Sequence, residues 1–186
     1  MAVMRLFLGL GLPDLHRDAL ASLQRKLPLG RAVPWGNFHL TLAFLGEGTT
    51  EMAEELDLKL GSMKITLPPI LLKDLGQFGG AAPRAIWVGV EPVSGLDELN
   101  ARLENAARRV GFTVPRRRFV PHVTLQRFAR DAVEPTAIAA VLERMGGFAL
   151  PSFQPWAVTL FQSHLRAEGP VYEALADYPI TPDQTT

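Results

Sequence analysis

The tetrapeptide His-x-Thr-Leu stands twice in this chain, at His39–Leu42 and at His122–Leu125, and two of the only four histidines carry it. In a β-strand, residues i and i+2 share a face. An extended His-x-Thr therefore presents an imidazole and a hydroxyl side by side, while the motif leucine, Leu42 or Leu125, points into a core. Two such strands constrain the fold twice over. Each must bury one face, and the two polar faces can build one symmetric site.

The order of elements around each motif repeats as well, as internal repeats require. In the first half, a strand at Arg5 to Leu10 precedes a helix from about Pro13 to Leu27, with Leu15, Ala19, Leu23 and Leu27 as its apolar stripe. The His39 strand comes next. A helix from Glu51 to Leu60 follows, carrying Met52, Leu56 and Leu60 and stopping at Gly61, and then a strand near Ile70 to Phe78. The second half reads the same way. A strand at Arg84 to Val90 leads to a helix from Leu96 to Val110, with Ser94 as N-cap, Gly111 as stop, and Leu96, Leu99, Leu103 and Val110 buried. The His122 strand, a helix from Pro135 to Met145 and a strand near Trp156 to Ser163 complete it.

This order predicts a single bilobed α+β domain over residues 1–186, with an internal repeat at about 5–78 and 84–163. Its two pseudo-twofold-related lobes would be antiparallel-rich sheets with helices outside and a central cleft. The alternative is that two similar units tile one sheet and keep their motifs apart. Beyond Ser163 the sequence predicts a short hairpin turning at Glu168-Gly169-Pro170 and returning over Val171 to Leu175, and then a frayed polar end from Pro179.

Composition narrows the chemistry. With 186 residues, 47% of them hydrophobic, the chain can bury a real core without staples. It has no cysteine, which removes disulfides, thiol nucleophiles and thiolate metal sites. Lys plus Arg equals Asp plus Glu at 19 each, so no global positive field wraps long nucleic acid. A small anion or an RNA end remains open as partner. Met1 to Leu12 imitates a signal peptide without a small-x-small cleavage site, and no apolar run reaches the roughly 18 residues of a membrane span. We expect a cytoplasmic monomer that does not engage a membrane.

Imidazole titrates near neutrality, so two in one cleft can serve as base and acid. Displacement at phosphorus needs that pairing, because one proton leaves the attacking oxygen and another reaches the departing one. Thr41 and Thr124 would donate hydrogen bonds to non-bridging phosphate oxygens, and Arg127 would add a charged contact. A metal site competes for the histidines. Neither motif has a carboxylate at i+2 or i+4 or a second histidine nearby, and threonine is a poor zinc ligand, so we expect neither metal nor cofactor.

The segments Pro34-Trp35-x-Asn37-Phe38-His39-Leu-Thr-Leu-Ala-Phe44-Leu45-Gly46 and Arg118-Phe119-x-Pro121-His122-Val-Thr-Leu125-x-Arg127 resemble the 2H (two-histidine) phosphoesterases. Within them the chain is most similar to the bacterial and archaeal RNA 2',3'-cyclic phosphodiesterases, also called 2'-5' RNA ligases. Ser163-x-Leu165, Gly169 and Tyr172 look like this family too. The resemblance implies a metal-independent hydrolase that opens RNA 2',3'-cyclic phosphate ends to 2'-phosphates, with 2'-5' ligation as a related activity. Catalysis would fall to His39 and His122, and substrate binding to Thr41, Thr124 and Arg127. We assign His122 as base and His39 as acid, an order that the near symmetry of the motifs leaves open. Alternatives are a 2H phosphoesterase for another small cyclic phosphate or a 2'-5' oligonucleotide, and a non-catalytic module that binds RNA ends.

Four further features have plainer readings. His16 reads as a residue on a solvated helix face, and His164 as a surface imidazole. Arg116-Arg117-Arg118 is either a collector of RNA phosphates or a solvated strand. Trp35, Phe38, Phe44 and Phe128 flank the motifs, and most of them are expected in the core, with room for one ring to stack on a base.

Overall fold

The computed structural model describes residues 3–27, 30–130, 132–167 and 169–182. The first half contributes β1 (Val3–Gly11), α1 (Asp14–Gln24), β2 (Arg31–Ala32), a 3-10 turn (Trp35–Asn37), β3 (His39–Thr49), α2 (Thr50–Gly61), β4 (Ile65–Leu67) and β5 (Leu72–Phe78). The second contributes β6 (Ala85–Val90), α3 (Leu96–Arg109), β7 (His122–Arg127), α4 (Pro135–Arg144), β8 (Ala157–Arg166) and β9 (Gly169–Pro182). Each half thus has the expected strand-helix-strand-helix-strand order, with β2, β4 and the long β9 added. Among the described residues no helix is long and apolar enough to cross a membrane.

The strands form two sheets, in the orders β3-β1-β8-β9-β4 and β2-β7-β6-β5. All pairings are antiparallel except β4 with β9. The division between sheets does not follow the division between halves. The third main strand of each half crosses over: β5 pairs with β6 of the second half, and β8 pairs with β1 of the first. Neither half can complete its sheet alone. The crossing also leaves β3 at one edge of its sheet, where it lies against β7 of the other.

Both motif strands carry a β-bulge at the same place. Gly9 pairs with Thr41 and Leu8 with Ala43, which leaves Leu42 as the extra residue; Trp87 pairs with Thr124 and Ile86 with Gln126, which leaves Leu125 as the extra one. A bulge resets the alternation of side chains. Leu42 and Ala43 are therefore both buried and Phe44 is exposed, while Leu125 and Gln126 are both buried and Arg127 is exposed. A bulge disrupts the regular ladder, and side-chain amides bind the bulged carbonyls, that of Leu125 together with the Val33 amide at 2.9 Å. Asn100 of α3 donates to the Leu42 carbonyl at 2.7 Å, and Gln24 of α1 donates to the Leu125 carbonyl at 2.6 Å. In each case the capping amide comes from the opposite half.

Several local expectations are corrected. The buried face of α1 is His16, Leu20 and Leu23, continued by Leu27; Leu23 and Leu27 are buried as expected, while His16 and Leu20 take the places of Leu15 and Ala19 and Leu15 is exposed. The cause is polar. His16 is buried with its Nε2 2.7 Å from the Pro151 carbonyl and its ring against Phe153, so it is a core residue and not a solvated one. The N-cap of α3 is Gly95 at φ +83, not Ser94; a left-handed residue enters the helix there, and glycine adopts it without strain. Arg116, Arg117 and Arg118 are exposed but lie in irregular chain, not in a strand.

The end is also more ordered than expected. β9 runs on to Pro182, and Tyr178 and Ile180 are buried, because Ile65–Leu67 pairs alongside it. Glu168 of the predicted turn and residues 183–186 lie outside the described residues. Ile70 falls just before β5, joined to Phe153 by an isolated bridge. Phe38 and Phe128 are buried, while Trp35 and Phe44 stay exposed.

The cap on the first bulge yields a test. Asn100→Leu keeps the branched side-chain shape but leaves the Leu42 carbonyl without its amide, and should cost about 1–3 kcal/mol of stability in urea unfolding. An unchanged midpoint would mean that water replaces the amide.

Candidate active site

His39 and Thr41 stand on β3, and His122, Thr124 and Arg127 on β7. On each strand the motif residues share a face, and the bulge in β7 brings Arg127 onto the face of His122 and Thr124. Without the bulge, Arg127, five residues beyond His122, would turn to the opposite face. Cross-strand neighbours support the assignment: Gly11 lies opposite His39 and Gly9 opposite Thr41, as Gly89 lies opposite His122 and Trp87 opposite Thr124. A Cβ on Gly9 would stand 2.9 Å from the Leu40 carbonyl and 3.3 Å from the His39 ring, so glycine there makes room for the imidazole.

Each imidazole is held by the carbonyl two residues before it. His39 Nδ1 lies 2.7 Å from the Asn37 carbonyl, and His122 Nδ1 lies 2.7 Å from the Val120 carbonyl. A carbonyl only accepts, so Nδ1 carries the proton in both rings and the neutral Nε2 is left as an acceptor. His39 Nε2 is 2.9 Å from the Thr41 hydroxyl, which donates to it. The 3-10 turn at Trp35–Asn37 aims the first of these carbonyls, and the Asn37 amide in turn donates to the Pro170 carbonyl at 2.7 Å.

Aromatic rings wall both histidines. Phe7 lies 4.8 Å from His39 between ring centroids, Tyr172 meets it edge-on at 5.1 Å, and Phe161 stands at 6.0 Å. Phe78 meets His122 edge-on at 4.7 Å, and Trp87 stands at 5.9 Å. The crossed strands supply equivalent rings, since Phe161 is on β8 and Phe78 on β5. None of these five rings was singled out from the sequence as part of the site. Their signal is tertiary: Phe7 and Trp87 arrive on the strands paired with β3 and β7, and Phe161 and Phe78 arrive through the exchange between halves.

Burial among these rings disfavours the charged form of both imidazoles. His39 is lowered from 6.5 to about 4, with burial as the main cause and the Asn37 hydrogen bond working against it. His122 is lowered less, again mainly by burial. The positive charge of Arg127 lowers both further, and the charges of His122 and Arg17 also act on His39. The two motifs therefore share one electrostatic environment. Burial raises Tyr172, while Arg127 and Arg5 oppose that shift, so the ring edge-on to His39 feels the same guanidinium. Two imidazoles held through Nδ1, one taking the Thr41 hydroxyl on Nε2, and a cation that acts on both suit proton transfer around an anionic group.

His164 is paired with Glu173 at 2.8 Å on the outer part of the β8–β9 hairpin. Trp35 is held by Asp18 at 2.8 Å and lies under the Arg17 guanidinium at 5.1 Å.

Comparison with known proteins places the geometry in context. A family model described as the 2'-5' RNA ligase superfamily matches residues 12–165. An RNA 2',3'-cyclic phosphodiesterase of Aeropyrum pernix is 35% identical over 161 residues, 86% of this chain and 89% of that protein. One of Escherichia coli is 37% identical over 133 residues, 69% of this chain and 74% of that protein. Among solved structures, E. coli LigT complexed with 3'-AMP superposes with a TM-score of 0.79 at 29% identity, covering 97% of this chain and 99% of that one.

Arg127 provides the test of this arrangement. Removing its charge in Arg127→Ala relieves repulsion on both imidazolium forms, so the pKa values of His39 and His122 should both rise toward 6.5 in an NMR titration of the ring protons. A rise in only one would show that the guanidinium is not shared.

Proposed function

Because the chain belongs to the 2'-5' RNA ligase superfamily and, within it, to the RNA 2',3'-cyclic phosphodiesterases, we propose that it hydrolyses the 2',3'-cyclic phosphate ends of RNA to 2'-phosphates with two histidines as base and acid. The observation that carries this reading is the pair of imidazoles whose Nδ1 atoms are held on the Asn37 and Val120 carbonyls, both within the field of Arg127. Water attacks phosphorus opposite the 3'-oxygen, the base takes its proton, and the acid protonates the 3'-oxygen as its bond to phosphorus breaks. Thr41, Thr124 and Arg127 hold the non-bridging oxygens. A 5'-hydroxyl in place of water would give a 2'-5' linkage by the same displacement. We retain a monomer in the cytoplasm as part of the proposal.

We assign His122 as base and His39 as acid. In the free protein the single remaining proton resides mainly on His122, the less shifted of the two, so this order requires the bound phosphate to draw the proton onto His39. A p-nitrophenyl phosphodiester, whose leaving group needs no proton, separates the two roles. The rate deficit of His39→Ala should shrink on it and that of His122→Ala should not; the opposite pattern reverses the assignment. On an RNA 2',3'-cyclic end, either substitution should lower kcat by about 10²–10⁴-fold.

The pH dependence follows from the lowered values. Below about 4 both histidines are charged and no base remains; above the His122 value, which lies under 6.5, the last proton is lost and no acid remains. The profile of kcat/KM should be bell-shaped with its maximum between these limits. A maximum above pH 7 would contradict it.

A further inference from the structure

Arg31 and Arg127 stand directly opposite each other on β2 and β7. Residues so paired lie on one face with Cβ atoms about 4.5–5.5 Å apart, and like charges there repel. Among the described residues neither arginine makes an ion pair. The fold nevertheless makes room for Arg31. Gly169, at φ +122, lies against its guanidinium, and a Cβ there would come within 2.7 Å of Nη2. Two exposed arginines directly opposite each other, one with its guanidinium in a glycine notch, are arranged for anions that offset their repulsion.

The placement says which anion. Arg127 is near enough to both histidines and to Tyr172 to act on all three, so it borders the position of the reacting phosphate. Arg31 lies one strand farther out, on the edge strand β2. A cyclic phosphate carries one negative charge, and Arg127 already faces it. The next negative charge along an RNA end is the phosphodiester on the 5' side of the terminal nucleoside. Resting on the function proposed above, we propose that Arg31, beside Arg127, binds this preceding phosphodiester, so that the protein prefers an oligonucleotide end to a nucleoside 2',3'-cyclic phosphate.

The test compares kcat/KM on a short RNA ending in a 2',3'-cyclic phosphate with that on adenosine 2',3'-cyclic phosphate lacking a 5'-phosphate. Arg31→Ala should lower the ratio of the two about tenfold, and Arg31→Lys should lower it less. It should also flatten the salt dependence of the oligonucleotide reaction by about 0.7 in the log–log slope, the loss of one phosphate contact on a single strand. Gly169→Ala, which displaces the guanidinium but keeps its charge, should lower the same ratio. An unchanged ratio, or equal losses on both substrates in a variant that melts with the wild type, would overturn the assignment of Arg31 alone. Wild-type protein that turns over neither substrate would instead overturn the proposed function, and this inference with it.

Discussion

The hydrogen bonds from Asn100 to the Leu42 carbonyl and from Gln24 to the Leu125 carbonyl hold together features that are far apart in the chain. Each binds the carbonyl of a bulge, that of Leu125 together with the Val33 amide, and each bulge decides which side chains share a face with a motif histidine. In β7 the bulge brings Arg127 round to His122; in β3 it brings Phe44 round to His39. A helix from one half thus stabilises the strand geometry of the other. The same motif carries a cation at one end of the site and an aromatic ring at the other, and this breaks the symmetry of an otherwise repeated arrangement.

The exchange of third strands gives the site its environment. Had each half kept its own strand, Phe78 would pack with β1 and Phe161 with β6. The observed pairing puts Phe161 beside Phe7 at 4.9 Å and both near His39, and puts Phe78 beside Trp87 at 5.3 Å and both near His122. Desolvation by these rings, more than any single charge, sets the ionisation of the histidines. The surroundings are dry enough to strengthen electrostatic contacts with an anion, and the fixed Nδ1 bonds leave each ring one direction in which to move a proton.

The element order was legible because hydrophobic periodicity is local. The strands at β1, β3, β6 and β7 and the four helices follow from it, with shifts of a few residues at their ends. The face of α1 was legible only in its second half, at Leu23 and Leu27. Leu15 has the right spacing for the core, but the long-range bond from His16 to Pro151, 135 residues away, turns the helix and exposes it. The extension of β9 had no local signal either, since Tyr178 to Pro182 becomes strand by pairing with β8 and with a three-residue strand from the first half. Ser94 is a sound N-cap by composition, yet the chain enters α3 through Gly95 because the approach to the helix requires a positive φ.

The sequence by itself determined the chemistry of this protein. Two His-x-Thr-Leu segments, without cysteine and without neighbouring carboxylates, specify two imidazoles and two hydroxyls on strand faces, because side-chain period and residue type are properties of the local chain. Only the tertiary structure decided the bulge that turns Arg127 to the face of His122, the place of Arg31 opposite it, and the aromatic rings against both histidines. Those outcomes depend on strand exchange, bulge register and burial, which arise between residues distant in sequence and have no counterpart in any local pattern.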